Sequence, residues 1–170
     1  MLIVETGDII AGAESYCTVA FANTYHAARG NSLAWTDSDD FDRENALRNA
    51  TDYMLQMYTS KWSGFRKSSS QSLDWPRTNV PISDLVALEY ISDNIVPIEV
   101  QRACASLALR ALTTDLLADE EQRVVREKVD VIETEYSEHA SQRKKYPEID
   151  LMLRRYLAFG EGALKMIRVA

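Results

Sequence analysis

Two of the three tryptophans of this chain lie in one short segment, Trp62–Arg77, whose glycine, serines and proline rule out a continuous helix. Large apolar rings on a loop are usually held against the core or against a partner. Cations accompany the rings and raise another possibility, a surface on which nucleobases stack. These cations are Lys61, Arg66, Lys67 and Arg77. The alternatives lead to different functions, so the position of this loop constrains both fold and function.

We favour the structural alternative, in which Trp62 and Trp75 close over the apolar stripe of a helix and Pro76 makes the loop exit rigid. Stacking with single-stranded nucleic acid requires exposed rings in a positive groove, whereas these rings neighbour Asp74 and an acidic body. A protein–protein contact is the third alternative, because Trp and Arg are enriched as interface anchors. We therefore expect Trp62, Trp75, Pro76 and Arg77 to form a structural or contact loop.

Length and composition predict one globular domain over residues 1–170. The 170 residues, 46% hydrophobic and 26% charged, can bury a core without cross-links. The only cysteines, Cys17 and Cys104, form no disulfide framework, and we expect buried thiols in a reducing compartment. The start of the chain, Met1–Glu5, does not have the pattern of a signal peptide, and no apolar run approaches the length of a membrane span. These features predict a cytoplasmic protein without a membrane partner.

The net charge of −7 is unevenly distributed, with −11 in residues 1–140 and +4 in residues 141–170. An acidic body disfavours tight nonspecific binding to nucleic acid, because that affinity comes mainly from neutralising phosphates. The basic segment 141–170 is typical of a docking segment for an acidic partner or for a neighbouring copy of the chain. A solvated terminus without a partner is the alternative.

Hydrophobic periodicity predicts a mainly α protein, a small helical bundle with a short β-strand or hairpin and extended N- and C-terminal arms. The predicted helices run from Val19 to Arg29, from Asp37–Asp42 to Tyr58, from Pro97 to about Asp119, and from Pro147 to Gly160. The third has the widest apolar face and should be central. Residues 124–136 alternate with a period near two and predict a strand or hairpin, and residues 83–92 could form a short helix.

No catalytic or cofactor-binding motif stands out. His26 and His139 have no Cys, His or carboxylate neighbours at ligand spacing, so we expect no metal site. Nucleophile-elbow, phosphate-loop and dinucleotide-binding motifs are missing from the sequence. Glu133 and Glu135 would share one face of a strand, where a solvated face is a commoner explanation than acid–base chemistry. We therefore expect a protein that is not an enzyme and has no cofactor.

Short motifs follow one another in a characteristic order along almost the whole chain. They are Leu2–Gly7, Ser15-Tyr16, Ala28–Asn31, Ala34-Trp35, Ala46–Tyr53, Trp62-x-Gly64, Gln71–Val80, Val96–Ala103, Ala108–Leu112, Lys128-Val129 and Glu135-Tyr136. In this order they resemble the head–tail adaptor (connector) proteins of long-tailed bacteriophages and prophages. Relatives also carry the label DnaT-like, after a primosomal single-stranded-DNA-binding protein. Asp130 stands where the adaptor pattern has glycine, which puts a tight turn there in doubt.

The resemblance implies a structural virion protein of the phage neck, made in the host cytoplasm. Twelve copies would form a ring that joins the portal protein to a tail or stopper protein. The ring would line the DNA exit channel, touching genomic double-stranded DNA only transiently and without specificity. An acidic wall would then repel phosphates and let DNA slide. The alternative function is primosomal-type binding of single-stranded DNA.

The adaptor resemblance also gives the basic segment a role, which is to insert into or pack on the portal. The candidate portal or subunit contacts are Arg143, Lys144, Lys145, Arg154, Arg155 and Tyr156.

Overall fold

A computed structural model describes residues 1–30, 32–82, 87–118, 124–128, 133–136 and 144–158, with 124–128 and 133–136 described by their backbone alone. This part of the chain is mainly helical with a small antiparallel hairpin, as the sequence predicts. The helices are α1 (Val19–Ala27), α2 (Leu33–Thr36), α3 (Asp40–Tyr58), α4 (Ile98–Ala111) and α5 (Pro147–Leu153), followed by a 3-10 turn at Arg154–Tyr156. The strands are β1 (Phe65–Arg66), β2 (Arg77–Thr78), β3 (Val124–Lys128) and β4 (Glu133–Tyr136).

The strands form two separate antiparallel pairs. Strands β3 and β4 pair from Val124 opposite Tyr136 to Lys128 opposite Glu133, which confirms the hairpin predicted for residues 124–136. Strands β1 and β2 close the base of the aromatic loop, with Phe65 opposite Thr78. This second pair was not predicted, because two residues are too few to show an alternating pattern.

The helix starts agree with the capping signals of the sequence. Thr18 caps α1 by accepting a hydrogen bond from the Phe21 N–H at 3.0 Å, and Asp39 caps α3 through the Asp42 N–H at 2.8 Å. The predicted end of α4 near Asp119 was wrong, because the helix stops at Ala111. The Asp115 carboxylate accepts the Leu117 N–H at 2.9 Å, a local bond that competes with continued helix.

Helix α4 lies at the centre of the core. Its Val100, Ala103, Cys104 and Leu107 are fully buried. Helix α3 packs along it more extensively than any other described element, and α1 and α5 also pack on it. Burying a leucine or methionine side chain contributes about 1.5–3 kcal/mol, so the predicted central role of this helix is also an energetic one.

Helix α5 is fixed to the core by both apolar and polar contacts. Ile149 and Leu153 are buried, while the Tyr58 hydroxyl donates to the Asp150 carboxylate at 2.6 Å. The Tyr53 hydroxyl donates to the Lys144 carbonyl at 2.9 Å, just before the helix. The described chain leaves this helix through the 3-10 turn, and the rest of the predicted C-terminal arm lies outside the described residues.

The N-terminal segment, predicted as a short strand or extended arm, folds around a buried carboxylate. Glu5 accepts the backbone N–H groups of Gly7 at 2.7 Å, Ile9 at 3.1 Å and Ile10 at 2.8 Å. Gly7 has φ +116°, and a Cβ there would lie 2.0 Å from the Asn94 carbonyl oxygen. Only glycine fits here, so Gly7 allows the N-terminal segment to approach the backbone of Asn94 closely.

Residues 87–92 contain no helix, and residues 83–86 of that predicted element lie outside the described residues. The segment is extended instead, with the Ile82 N–H donating to the Glu89 carbonyl and the Ile91 N–H to the Val80 carbonyl, both at 2.9 Å.

Replacing Glu5 with alanine should lower the free energy of unfolding by about 3 kcal/mol, because it leaves buried backbone donors without an acceptor. Urea denaturation followed by circular dichroism measures this loss. Asp8→Ala is the matched control in the same loop, since Asp8 is exposed and accepts only the Thr6 hydroxyl among the described residues. We expect the control to stay within about 0.5 kcal/mol of the unsubstituted chain. Equal stability of both variants would contradict the anchoring role of Glu5.

Candidate functional site

The two tryptophans of the aromatic loop lie in the core, as the structural alternative predicts. Trp62 is 5% exposed and Trp75 is 0% exposed. Their rings meet edge to face, with centroids 5.7 Å apart and an interplanar angle of 84°. The ring of Trp62 also packs against that of Tyr58, the last residue of α3, with centroids 5.8 Å apart. In this conformation, neither tryptophan presents a face on which a base could stack.

Asp74 organises the polar side of this ring cluster. Its buried carboxylate accepts the Trp62 indole N–H at 3.0 Å and the Thr59 hydroxyl at 2.8 Å. Its backbone N–H donates to the Tyr16 hydroxyl at 3.1 Å. The indole N–H of Trp75 is buried without a hydrogen-bond partner among the described residues. Asp74 thus joins the loop to the end of α3 and to the N-terminal segment.

Arg77 is committed to the loop's own backbone. Its guanidinium donates to the carbonyls of Ser63 at 2.8 Å, Gly64 at 2.9 Å and Asp74 at 3.2 Å. Burial lowers the pKa of Arg77 from its ordinary value. Gly64 has φ +66°, and a Cβ there would lie 2.2 Å from the Thr78 carbonyl oxygen. Arg77, which the sequence analysis assigned to a structural or contact loop, therefore holds the two ends of this loop together.

The exposed part of the loop is the β1 edge, Phe65–Lys67. Phe65 is 68% exposed, and Arg66 and Lys67 beside it are exposed as well. Arg66 donates to the Gln71 carbonyl, and Lys67 forms an ion pair with Asp93 at 3.4 Å. Of the loop's aromatic rings, this phenylalanine is the one that solvent or a ligand can reach.

The basic segment divides into residues with different surroundings. Lys145, Arg154 and Arg155 are exposed, while Lys144 is half-buried. The Arg155 guanidinium lies 3.8 Å from the Glu99 carboxylate. Arg143 lies outside the described residues.

Tyr156, a predicted portal contact, is packed into the core of the single chain. It is 4% exposed, its ring meets Trp75 edge to face at 5.7 Å, and its hydroxyl donates to Glu99 at 2.5 Å. The sequence carried a signal for this placement, since Tyr156 follows Ile149 and Leu153 at helical spacing on the apolar face of α5. Its position makes it a core residue that borders the surface.

A groove that the sequence did not predict lies beside Tyr156. We call it the Tyr90 groove; it has a volume of about 340 Å³, and its apolar lining includes Ile82, Tyr90, Ile91, Ile95, Pro97 and Ile98. Glu99 and Arg155 supply its charged rim. Tyr90, Ile95 and Ile98 are among the exposed large hydrophobic side chains. The apolar residues of 88–98 were a signal for it, but they show no clear period, so their shared surface could not be anticipated.

The lining of the groove is suited to another protein surface. Exposed apolar patches with a polar rim mark interaction sites, whereas small-molecule sites add several convergent polar groups. Besides two tyrosines, the polar residues that line the groove in the described part of the chain are Ser92, Glu99 and Arg155, and Glu99 already accepts the Tyr156 hydroxyl.

The histidines, cysteines and carboxylates considered in the sequence analysis form no metal site in the described part of the chain. No group of three or more His, Cys, Asp and Glu side chains among the described residues is arranged to hold a metal ion. His26 is buried, with Nε2 3.1 Å from the Ala105 carbonyl oxygen, and burial lowers the pKa of its imidazole. Cys17 and Cys104 are buried free thiols, as predicted. His139, Glu133 and Glu135 have no described side chains. No helix among the described residues combines the length and apolarity needed to cross a bilayer.

A family model described as "Putative DnaT-like ssDNA binding protein" matches residues 1–169 of the chain. The chain therefore belongs to this family. No curated protein matches it significantly. No solved structure does so either. The family description agrees with the DnaT-like label of the sequence resemblance and with its alternative function.

All three tryptophans should be protected from solvent, because Trp35 is buried as well. We expect the acrylamide quenching constant of the native chain to be several-fold below that of the chain unfolded in urea. Adding single-stranded oligothymidylate should leave the tryptophan emission unchanged, since stacking requires an accessible ring face. A native quenching constant close to the unfolded value, or strong quenching by the oligonucleotide, would contradict the buried arrangement.

Proposed function

We propose that this member of the DnaT-like family is a structural protein of the phage neck, where a ring of copies joins the portal to the tail around the DNA. One observation carries the proposal: Trp62, Trp75 and Arg77 are all committed to contacts within the chain. These three residues therefore offer neither an exposed ring nor a free cation for a stacking platform, which leaves Phe65 as the exposed ring of the loop. The order of the motifs from Leu2 to Tyr136 resembles that of head–tail adaptor proteins, which is why we propose this class of structural protein.

The charge distribution supports a channel-lining role. Residues 1–140 carry −11, and the corner between α2 and α3 exposes Asp37, Asp39, Asp40 and Asp42. A wall of this sign repels phosphates, so that DNA would pass along it without being held. The fold also offers an apolar groove for contact with another subunit or neck protein.

The basic segment supports docking on the portal. Arg154 and Arg155 are exposed, follow α5 directly and border the same side of the molecule as the Tyr90 groove. Charges at the rim of an interface raise the association rate and select partners of opposite sign. An acidic surface of the portal would provide that partner.

Replacing both Arg154 and Arg155 with glutamate should weaken binding to the portal protein by roughly tenfold or more, because attraction becomes repulsion at two rim positions. Biolayer interferometry with immobilised portal protein measures the affinity. The loss should shrink as salt is raised, since the contacts are exposed.

Arg102→Glu is the matched control, because Arg102 is an exposed arginine on α4 outside the basic segment. It should bind like the unsubstituted chain. Circular dichroism melting of the double variant separates lost docking from lost folding, since Arg155 lies beside Glu99. A folded double variant with unchanged portal affinity would overturn the docking role.

Binding of single-stranded DNA is the second candidate function, favoured by the family description and by the exposed Phe65–Lys67 edge. An aromatic ring beside two cations is the smallest unit of a stacking and phosphate-binding surface. Lys67 already pairs with Asp93, which reduces its availability for phosphate. This candidate predicts salt-dependent affinity for single strands centred on Phe65.

Phe65→Ala distinguishes the two functions. If the chain binds single-stranded DNA, this variant should lose roughly tenfold or more in affinity for fluorescein-labelled oligothymidylate, the magnitude expected when one stacked ring is removed. Fluorescence anisotropy at several salt concentrations measures the binding. Phe41→Ala is the control, since Phe41 is 69% exposed, like Phe65 at 68%, but lies between Asp40 and Asp42. The adaptor function predicts no measurable binding at physiological salt for any of the three chains.

A further inference from the structure

We propose that residues 159–170 of one copy of this chain occupy the Tyr90 groove of a second copy. The inference rests on the ring of the proposed function and specifies which surfaces join neighbouring copies. The three observations behind it are the exposed apolar groove, the direction in which the described chain ends, and the composition of the segment that follows.

The groove is an apolar surface open to solvent in the isolated chain. Ile98 is 41% exposed, and Tyr90 and Ile95 beside it are similarly open. Covering such side chains removes apolar area from water and is favourable in proportion to that area. The charged rim of Glu99 and Arg155 marks its boundary.

The described chain ends by running away from its own groove. The Ser63 N–H donates to the Tyr156 carbonyl at 2.8 Å, and the Ala158 N–H donates to the Lys61 carbonyl at 2.7 Å. Residues 156–158 therefore run antiparallel to residues 61–63. Tyr156 lines the groove, whereas Ala158 is two extended residues, about 7 Å, further on. The described chain thus ends beside residue 61, outside the lining of its own groove.

The segment after Ala158 has the composition of a groove-binding peptide. Its apolar residues are Phe159, Ala163, Leu164, Met166, Ile167, Val169 and Ala170. Its charged residues are Glu161, Lys165 and Arg168, so the segment carries a net charge of +1, and its two cations are complementary to the Glu99 carboxylate of the rim. Extended, these residues span at most about 40 Å, enough to reach an adjacent copy.

Docking of this kind gives a heterologous contact, with the tail of one copy on the groove of the next. Such contacts repeat head to tail and close into a ring when the rotation between copies allows it. Docking onto the chain's own groove would require the tail to reverse after Ala158, and Gly160 and Gly162 would permit that reversal. The experiment must therefore separate the two geometries.

Site-directed cross-linking tests the contact in the full chain. Ile98→Cys places a thiol in the groove and Leu164→Cys places one in the tail, while the native thiols Cys17 and Cys104 are buried. The two single variants are mixed in equal amounts and treated with a short bismaleimide. We expect the cross-linked heterodimer at about five times the control yield or more, because docking raises the local thiol concentration.

The control mixture pairs Leu164→Cys with Leu33→Cys. Leu33 lies on α2 outside the groove and is 75% exposed, compared with 41% for Ile98, so a higher yield at Ile98 cannot come from accessibility. Excess synthetic peptide of residues 159–170 should reduce the yield at Ile98 and leave the control unchanged. If circular dichroism shows that Ile98→Cys does not fold, Ile95→Cys offers a second thiol in the groove.

Equal yields at Ile98 and Leu33 would overturn the proposal. A double variant, Ile98→Cys with Leu164→Cys, that links within single chains at every dilution and forms no dimer would also overturn it, in favour of docking on the chain's own groove. If the cross-link fails but portal binding still depends on Arg154 and Arg155, the tail contact is overturned and the adaptor function stands. If neither the cross-link nor the charge-dependent portal binding is observed, the tail contact and the portal-docking role are both overturned.

Discussion

The contact between Trp62 and Trp75 determines the arrangement of the parts around it. The two rings meet edge to face at 5.7 Å, and Trp75 meets Tyr156 in the same way at the same distance. Through these rings the end of α3, the aromatic loop and the C-terminal turn share one apolar cluster. Asp74 supplies the polar anchor by accepting the Trp62 indole N–H. Such ring pairs contribute about 0.5–1.5 kcal/mol beyond the area they bury, so the loop is an integral part of the core.

The same ring cluster also shapes the surface of the protein at the Tyr90 groove. Tyr156, held by Trp75 and by Glu99, forms one side of the Tyr90 groove, so the core packing shapes the surface proposed for subunit contact. The β1 edge and the turn after α5 each expose two neighbouring cations, within a chain of net charge −7. In the proposed adaptor, the groove would contact another protein and the acidic faces would keep DNA at a distance. The family description names single-stranded DNA instead, which leaves Phe65 as the ring to test.

Local signals in the sequence predicted most of the described helices and the hairpin. The Thr18 cap and the apolar stripe of α3 depend on neighbouring residues alone, so the sequence was sufficient to locate these helices. The burial of Trp62 was also predicted, because a large apolar ring on a non-helical segment that follows an amphipathic helix is expected to cover the apolar stripe of that helix. The closure of Arg77 on three carbonyls and the Tyr90 groove depend on contacts between distant segments, which no local pattern encodes. Tyr156 has both signals, because its basic neighbours are typical of a docking segment whereas its helical spacing predicts the burial that the structure shows.

The most direct test of the adaptor function is electron microscopy of particles from a lysate in which the gene for this chain has been deleted, with a plasmid-borne copy restoring it in the control. A neck adaptor predicts separate tails beside unjoined heads in the deletion lysate, some of the heads having lost DNA, and joined virions when the gene is restored. Intact joined virions in the deletion lysate would contradict the adaptor function and leave single-stranded-DNA binding as the function to pursue.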